Sequence, residues 1–120
     1  QDIALIDAKK GLAMFEKVNI PILGIVENMS LHICSNCGHE EAIFGTGGGE
    51  AMAKDAGANF LGSLPLEMEI RTDVDEGVPT VAKDPEGRIA EIYKEIARKV
   101  SAKLTQQDKA ISAFPSITIE

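Results

Sequence analysis

Tryptophan is absent from this 120-residue chain, and the other aromatics are few, with 1 Tyr and 4 Phe. The core must therefore be aliphatic, and the stacking platforms that single-strand nucleic-acid binders use are not expected. An excess of positive charge is missing too. Against 12 Lys and Arg stand 19 Asp and Glu, giving a net charge of −7, and the basic residues are scattered. Such a surface repels a phosphate backbone, so no nucleic-acid partner is expected. The longest nearly uninterrupted apolar run, residues 20–26, falls far short of the roughly 20 residues that cross a bilayer. No membrane partner is expected, and the first residues do not read as a signal peptide. A GxxxxGK[ST] phosphate-binding loop is also lacking. The one glycine-rich run, Gly45-Thr46-Gly47-Gly48-Gly49, has no lysine to meet β- and γ-phosphates. It reads as backbone geometry leading into a helix, with anion binding at that helix start as the alternative. Two histidines and no visible carboxylate pairing give no persuasive catalytic set.

What is present suits a soluble globular protein: 44% hydrophobic and 26% charged residues, in a length that buries about two-thirds of its unfolded surface. The chain starts at Gln1, directly on the first turn of a helix, as an excerpt of a longer protein would. Asp2 is placed to cap that helix, and Leu5, Ala8, Leu12 and Phe15 give it an apolar stripe to about Glu16. Residues 20–26 are short, β-branched and apolar on both faces, as a buried parallel strand is, and they deliver Glu27, Asn28 and Met29 to its carboxyl end. Residues 31–44 hold no helical period and predict a loop or small hairpin with residues 41–44 as its return. Thr46 can cap a helix over 48–56, with Gly57 as a left-handed C-terminal cap. A second apolar strand follows over 59–64, stopped by Pro65, then a short helix over 66–76 ending at Gly77, then an irregular connector over 78–82. Asp84-Pro85 suits a cap and first-turn proline for the clearest periodicity in the chain: Ile89, Ile92, Tyr93, Ile96, Val100 and Leu104. Residues 105–120 form a tail whose Ile117-Thr118-Ile119 could add a strand.

Alternating helix and apolar strand define an α/β class with a parallel sheet. Only two central strands can be counted, too few for a closed sheet, so the chain reads as the back half of a doubly wound domain or as one that borrows strands. Open strand edges invite pairing with another chain, so a dimer is expected.

The sharpest signal is Cys34-Ser35-Asn36-Cys37-Gly38. Two-residue spacing lets both thiolates converge on one ion, and Gly38 lets the backbone curl beneath it. Tetrahedral sulfur sets select zinc or iron–sulfur clusters, yet these are the only two cysteines. The remaining ligands come from His32 or His39, or from a second copy whose loop meets this one on a two-fold axis. A redox dithiol would need a helix starting at the first cysteine to depress its pKa, and Gly38-His39-Glu40-Glu41 offers none. Paired thiols in an acidic chain without a leader fit a reducing, cytoplasmic setting, where metal binding is commoner than a structural disulfide.

Four motifs in order carry a resemblance: Gly24-Ile25-Val26-Glu27-Asn28-Met29-Ser30; Cys34-Ser35-Asn36-Cys37-Gly38; Ile43-Phe44-Gly45-Thr46-Gly47-Gly48-Gly49; and Leu61-Gly62-Ser63-Leu64-Pro65-Leu66. Together they resemble the carboxyl-terminal half of the Mrp/ApbC-type iron–sulfur cluster carrier ATPases, over about residues 1–104. That family belongs to the deviant-Walker P-loop ATPases, relatives of MinD and the nitrogenase iron protein. The resemblance implies that Cys34 and Cys37 hold a 4Fe–4S cluster bridging a homodimer and pass it to apo-protein acceptors. It further implies that Asn28 contacts an adenine base, with Pro65 and Leu66 on the base's other side. The phosphate loop and the magnesium-handling aspartates of the family have no counterpart in these residues. ATP and magnesium are therefore expected to act only with an amino-terminal half, and ATP hydrolysis by this chain alone is not expected. The alternative is a zinc-bridged structural or dimerisation module without cluster transfer.

Overall fold

A computed structural model describes residues 1–106. Its architecture is α/β, with helices around a parallel strand pair and a separate small hairpin. The strand proposed within 105–120 lies outside the described residues.

Helix α1 spans Asp2–Lys17. Gln1, not Asp2, occupies its N-cap, without a side-chain bond, and the Gln1 carbonyl accepts the Leu5 amide at 3.1 Å. Asp2 instead adds negative charge to the first turn, where the helix dipole favours it. Of the expected apolar stripe, Leu5 and Leu12 are half-buried while Ala8 and Phe15 stay exposed.

Strand β1 is Ile25–Glu27, shorter than the predicted 20–26 because its partner, β4 (Phe60–Ser63), begins opposite Ile25. The pair is parallel, and its register slips between Ile25 and Val26, which face Phe60 and Gly62. Between them lie β2 (His32–Ile33) and β3 (Glu40–Glu41), an antiparallel pair, so the hairpin returns earlier than residues 41–44.

Helix α2 is Gly48–Asp55. Its N-cap is Gly47, in the left-handed region at φ 75°, and Thr46 makes no capping bond. The Glu27 carboxylate takes over that role from across the sheet, accepting the Gly49 amide at 2.6 Å. A side chain on Gly48 would meet Leu5 of α1 at 2.7 Å, and one on Gly49 would meet Glu27 at 2.9 Å. These two glycines are thus required by close packing, which the backbone reading of the run did not include; that reading fits Gly45 and Gly47, at φ 83° and 75°. Gly57 closes the helix at φ 62°.

After β4 come α3 (Met68–Asp75), the single-turn α4 (Thr80–Lys83) and α5 (Arg88–Gln106). Residues 78–82 are therefore not an irregular connector. Fully buried Asp73 organises a helical turn there, accepting from Thr80 Oγ1 at 2.8 Å and from Lys83 Nζ at 2.6 Å. Asp84 and Pro85 sit in a turn ahead of α5, whose first residue is Arg88, so neither caps it.

The core lies where α2, β4 and the start of α5 meet: Met52, Ala53, Leu61, Leu64, Ile89 and Ala90. It is wholly aliphatic, as the shortage of aromatics required. By contrast α1 buries no residue, and Ile3 is 71% and Ile6 54% exposed. Among the described residues no helix is long and apolar enough to cross a membrane.

Candidate metal centre

The cysteines occupy the six-residue connection between β2 and β3. Within it, the Gly38 amide donates to the Cys34 carbonyl at 2.8 Å and the Cys34 amide donates to the His39 carbonyl at 2.9 Å. These bonds fold the backbone into a single α-turn that presents both sulfurs on one side. The turn needs a left-handed residue, and Gly38 supplies it at φ 70° with nothing within 4 Å of where a Cβ would be.

Both cysteines are free thiols, Cys34 half-buried and Cys37 exposed. The Cys37 backbone amide, then that of Asn36, points at the Cys34 sulfur and holds its pKa below the ordinary thiol value. The Cys37 thiol and, at longer range, His32 add to this, while desolvation opposes it. Amides aimed at a sulfur favour the thiolate, the form that ligates metal.

Among the described residues no group of three or more His, Cys, Asp or Glu converges as a metal site. His39 is exposed and contributes its carbonyl to the turn. The His32 ring turns toward the sheet, its Nδ1 3.0 Å from the Leu66 carbonyl. Within the described part of one chain, the pair is thus a two-thiol corner.

The other predicted residues gather beside the base of this hairpin. Beyond β1 and β4 the two segments stay stitched: the Leu64 amide donates to Glu27 O at 2.8 Å, the Ser30 amide to Leu64 O at 3.0 Å, and the Leu66 amide to Leu31 O at 2.8 Å. That stitching brings Asn28 to the same strand ends as Pro65 and Leu66. Asn28 is exposed, Pro65 buried and Leu66 half-buried. The Asn28 Oδ1 accepts the Met29 amide at 2.9 Å, where Met29 adopts φ 55°. The asparagine therefore steadies a strained turn in this structure. A cavity of about 450 Å³ opens beside it, bounded by Glu27, Asn28, Phe44, Thr46 and the first turns of α1 and α2.

Two residues named in the sequence reading have roles here that it did not give them. Glu27 anchors α2, and its signal was a carboxylate at a strand's carboxyl end before a glycine-led helix start. His32 ties the hairpin to Leu66, and nothing in its sequence context marks that.

A parallel strand pair with helices packed around it and a two-cysteine hairpin near the strands' carboxyl ends make up an α/β unit of the P-loop NTPase class. The chain belongs to the family described as ParA, the NUBPL iron-transfer P-loop NTPases, whose profile matches residues 1–101. It is 57% identical over 111 residues to the iron-sulfur cluster carrier protein of Salmonella typhimurium, covering 92% of this chain and 30% of that protein. Similarity extends to an Arabidopsis thaliana iron-sulfur protein required for NADH dehydrogenase, mitochondrial, at 45% identity over 83% of this chain and 32% of the relative. It includes the mouse iron-sulfur cluster transfer protein NUBPL at 44% identity, over 87% of this chain and 33% of the relative. The chain thus spans about a third of the length of these curated relatives.

Proposed function

We propose that this chain is the cluster-binding portion of an iron–sulfur cluster carrier. Cys34 and Cys37 of two copies together hold one bridging 4Fe–4S cluster, the cargo, and release it to apo-protein acceptors. The observation that carries the reading is the Cys34–Cys37 turn, in which both thiols are free and no third metal-binding side chain converges among the described residues. A tetrathiolate needs four sulfurs, and a two-fold axis through the hairpin supplies them. The printed names of the relatives, cluster carrier and cluster transfer proteins, support the same cargo.

In this reading residues 1–104 are the back half of the ATPase domain and 105–120 a tail. Asn28, Pro65 and Leu66 contact the adenine base of an ATP whose phosphates and magnesium are held by a preceding half. Buried Pro65 would act through its backbone and neighbours, leaving exposed Asn28 and half-buried Leu66 as the surfaces open to a base. The setting is the cytoplasm, where thiolates stay reduced.

Anaerobic incubation with ferrous iron and sulfide tests this. Broad visible charge-transfer absorbance, with one cluster per two chains, is expected. A stable zinc ion per dimer that iron and sulfide cannot displace would instead support a structural zinc bridge.

A further inference from the structure

We propose that His32 is a positioning residue that latches the cysteine hairpin to the Leu64–Leu66 segment, so that displacement of that segment is felt at Cys34. The proposal rests on the carrier reading, in which a purine base abuts Leu66.

The geometry is a three-point attachment around Pro65. Proline donates nothing, so this stretch is held by its neighbours' polar atoms. The Leu64 carbonyl accepts both the Ser30 amide at 3.0 Å and the Ser30 hydroxyl at 3.2 Å, and the Leu66 amide donates to Leu31 O at 2.8 Å. The third point is the Leu66 carbonyl, 3.0 Å from His32 Nδ1. A carbonyl only accepts, so Nδ1 carries the proton. All these partners fall on residues 30–32, immediately before the turn. From His32 the path to the sulfur is short and hydrogen-bonded: His32 and Ile33 pair with Glu41 and Glu40, and the Cys34 amide bonds His39 O. Of these attachments, the His32 ring alone joins the β2 strand to the Leu66 carbonyl through a side chain, so it can be removed without breaking the backbone ladder.

A double-mutant cycle on the full chain tests coupling rather than proximity. The variants are His32→Phe, His32→Asn, Pro65→Gly and the His32→Phe/Pro65→Gly double. Two rates are read: iodoacetamide alkylation of Cys34 in the apo-protein, and cluster transfer from the loaded protein to an apo-ferredoxin. Loss of one partly exposed neutral hydrogen bond predicts that His32→Phe raises both rates roughly threefold. His32→Asn, whose amide nitrogen takes the place of Nδ1, restores them. Pro65→Gly alters both rates while His32 is present and adds nothing on top of His32→Phe. Wild-type rates in His32→Phe, failure of His32→Asn to rescue, or additive effects of the two substitutions would overturn the latch. Should the wild-type chain take up no cluster, the carrier reading fails, and the alkylation cycle still decides the latch. If His32→Phe does not fold, His32→Gln, whose amide nitrogen falls at the Nε2 rather than the Nδ1 position and so does not replace the bond to Leu66 O, takes its place in the cycle with the same expected and overturning results.

Discussion

At Asp73 both carboxylate oxygens find donors inside the chain, from Thr80 and Lys83, and the residue is fully buried. At Cys34 the sulfur takes the amides of its own turn and the Cys37 thiol, and the two cysteines remain half-buried and exposed, respectively. The first cluster is closed. It joins α3 to α4 and has nothing left to offer a ligand, so its contribution is to stability. The second is open. Its turn bonds shape it and favour the Cys34 thiolate, and on the reading proposed above its two sulfurs are half of what a tetrahedral metal takes. A polar cluster satisfied at home holds a fold together, whereas one satisfied only by an outside group marks where that group binds.

The sharpest break of this contrast is to remove a sulfur. Cys34→Ser or Cys37→Ser should lower iron bound after reconstitution to roughly a tenth or less, since the metal site and its affinity depend on every ligand, while the apo-protein's melting temperature stays near wild type. Iron analysis and thermal unfolding followed together check both halves of this expectation.

The reverse experiment is Asp73→Ala, which strands the Lys83 ammonium and the Thr80 hydroxyl. A drop in Tm of about 5 °C or more is expected, with cluster content per folded chain unchanged. Equal loss of iron and stability in both experiments would erase the distinction between the clusters.

The closed cluster also predicts a pH window. Hydrogen bonds from Lys83, then Thr80, hold the Asp73 carboxyl below its ordinary value, and bonding to Asp73 raises Lys83. The aspartate's contribution is fully present above its unfolded pKa of about 3.9 and is lost as pH falls through the lowered folded value. The lysine's is fully present below its unfolded pKa of about 10.4 and is lost as pH rises through the raised folded value. Apo-protein stability from this pair should therefore be level between those limits and decline outside them. In Asp73→Asn those two flanks should flatten, as denaturant midpoints measured across pH will show.

The smallest expected effect is at the turn itself. Gly38→Ala puts a side chain at φ 70° without any clash, so the cost is conformational alone, about 1 kcal/mol. Tm should fall by a few degrees and cluster loading should slow rather than vanish.

Much of this was legible in the order of residues. The α5 period, the two short apolar strands and the CxxCG turn all depend on neighbours in sequence, and all three appear in the fold. What was not legible depends on partners brought from afar. Asp2, Thr46 and Asp84 looked like helix caps by local rule, yet Glu27 serves α2 from a different strand, and the other two helices begin elsewhere. Asp73 sits in a polar helix and looks solvated until Thr80 and Lys83 fold over it. His32 read as a possible metal ligand, and only the stitching of the segments beyond β1 and β4 brings Leu66 to its ring. The strand at 20–26 was drawn too long because apolar character was visible and the position of its partner was not.

The central claim is that the open cluster is completed by a second copy around an iron–sulfur cargo. Native mass spectrometry of the reconstituted chain tests it most directly. The account predicts a dimer carrying one 4Fe–4S unit, reverting to apo chains without the cluster in Cys34→Ser. A cluster held by a single chain, or a cluster-bearing dimer that survives Cys34→Ser, would contradict it.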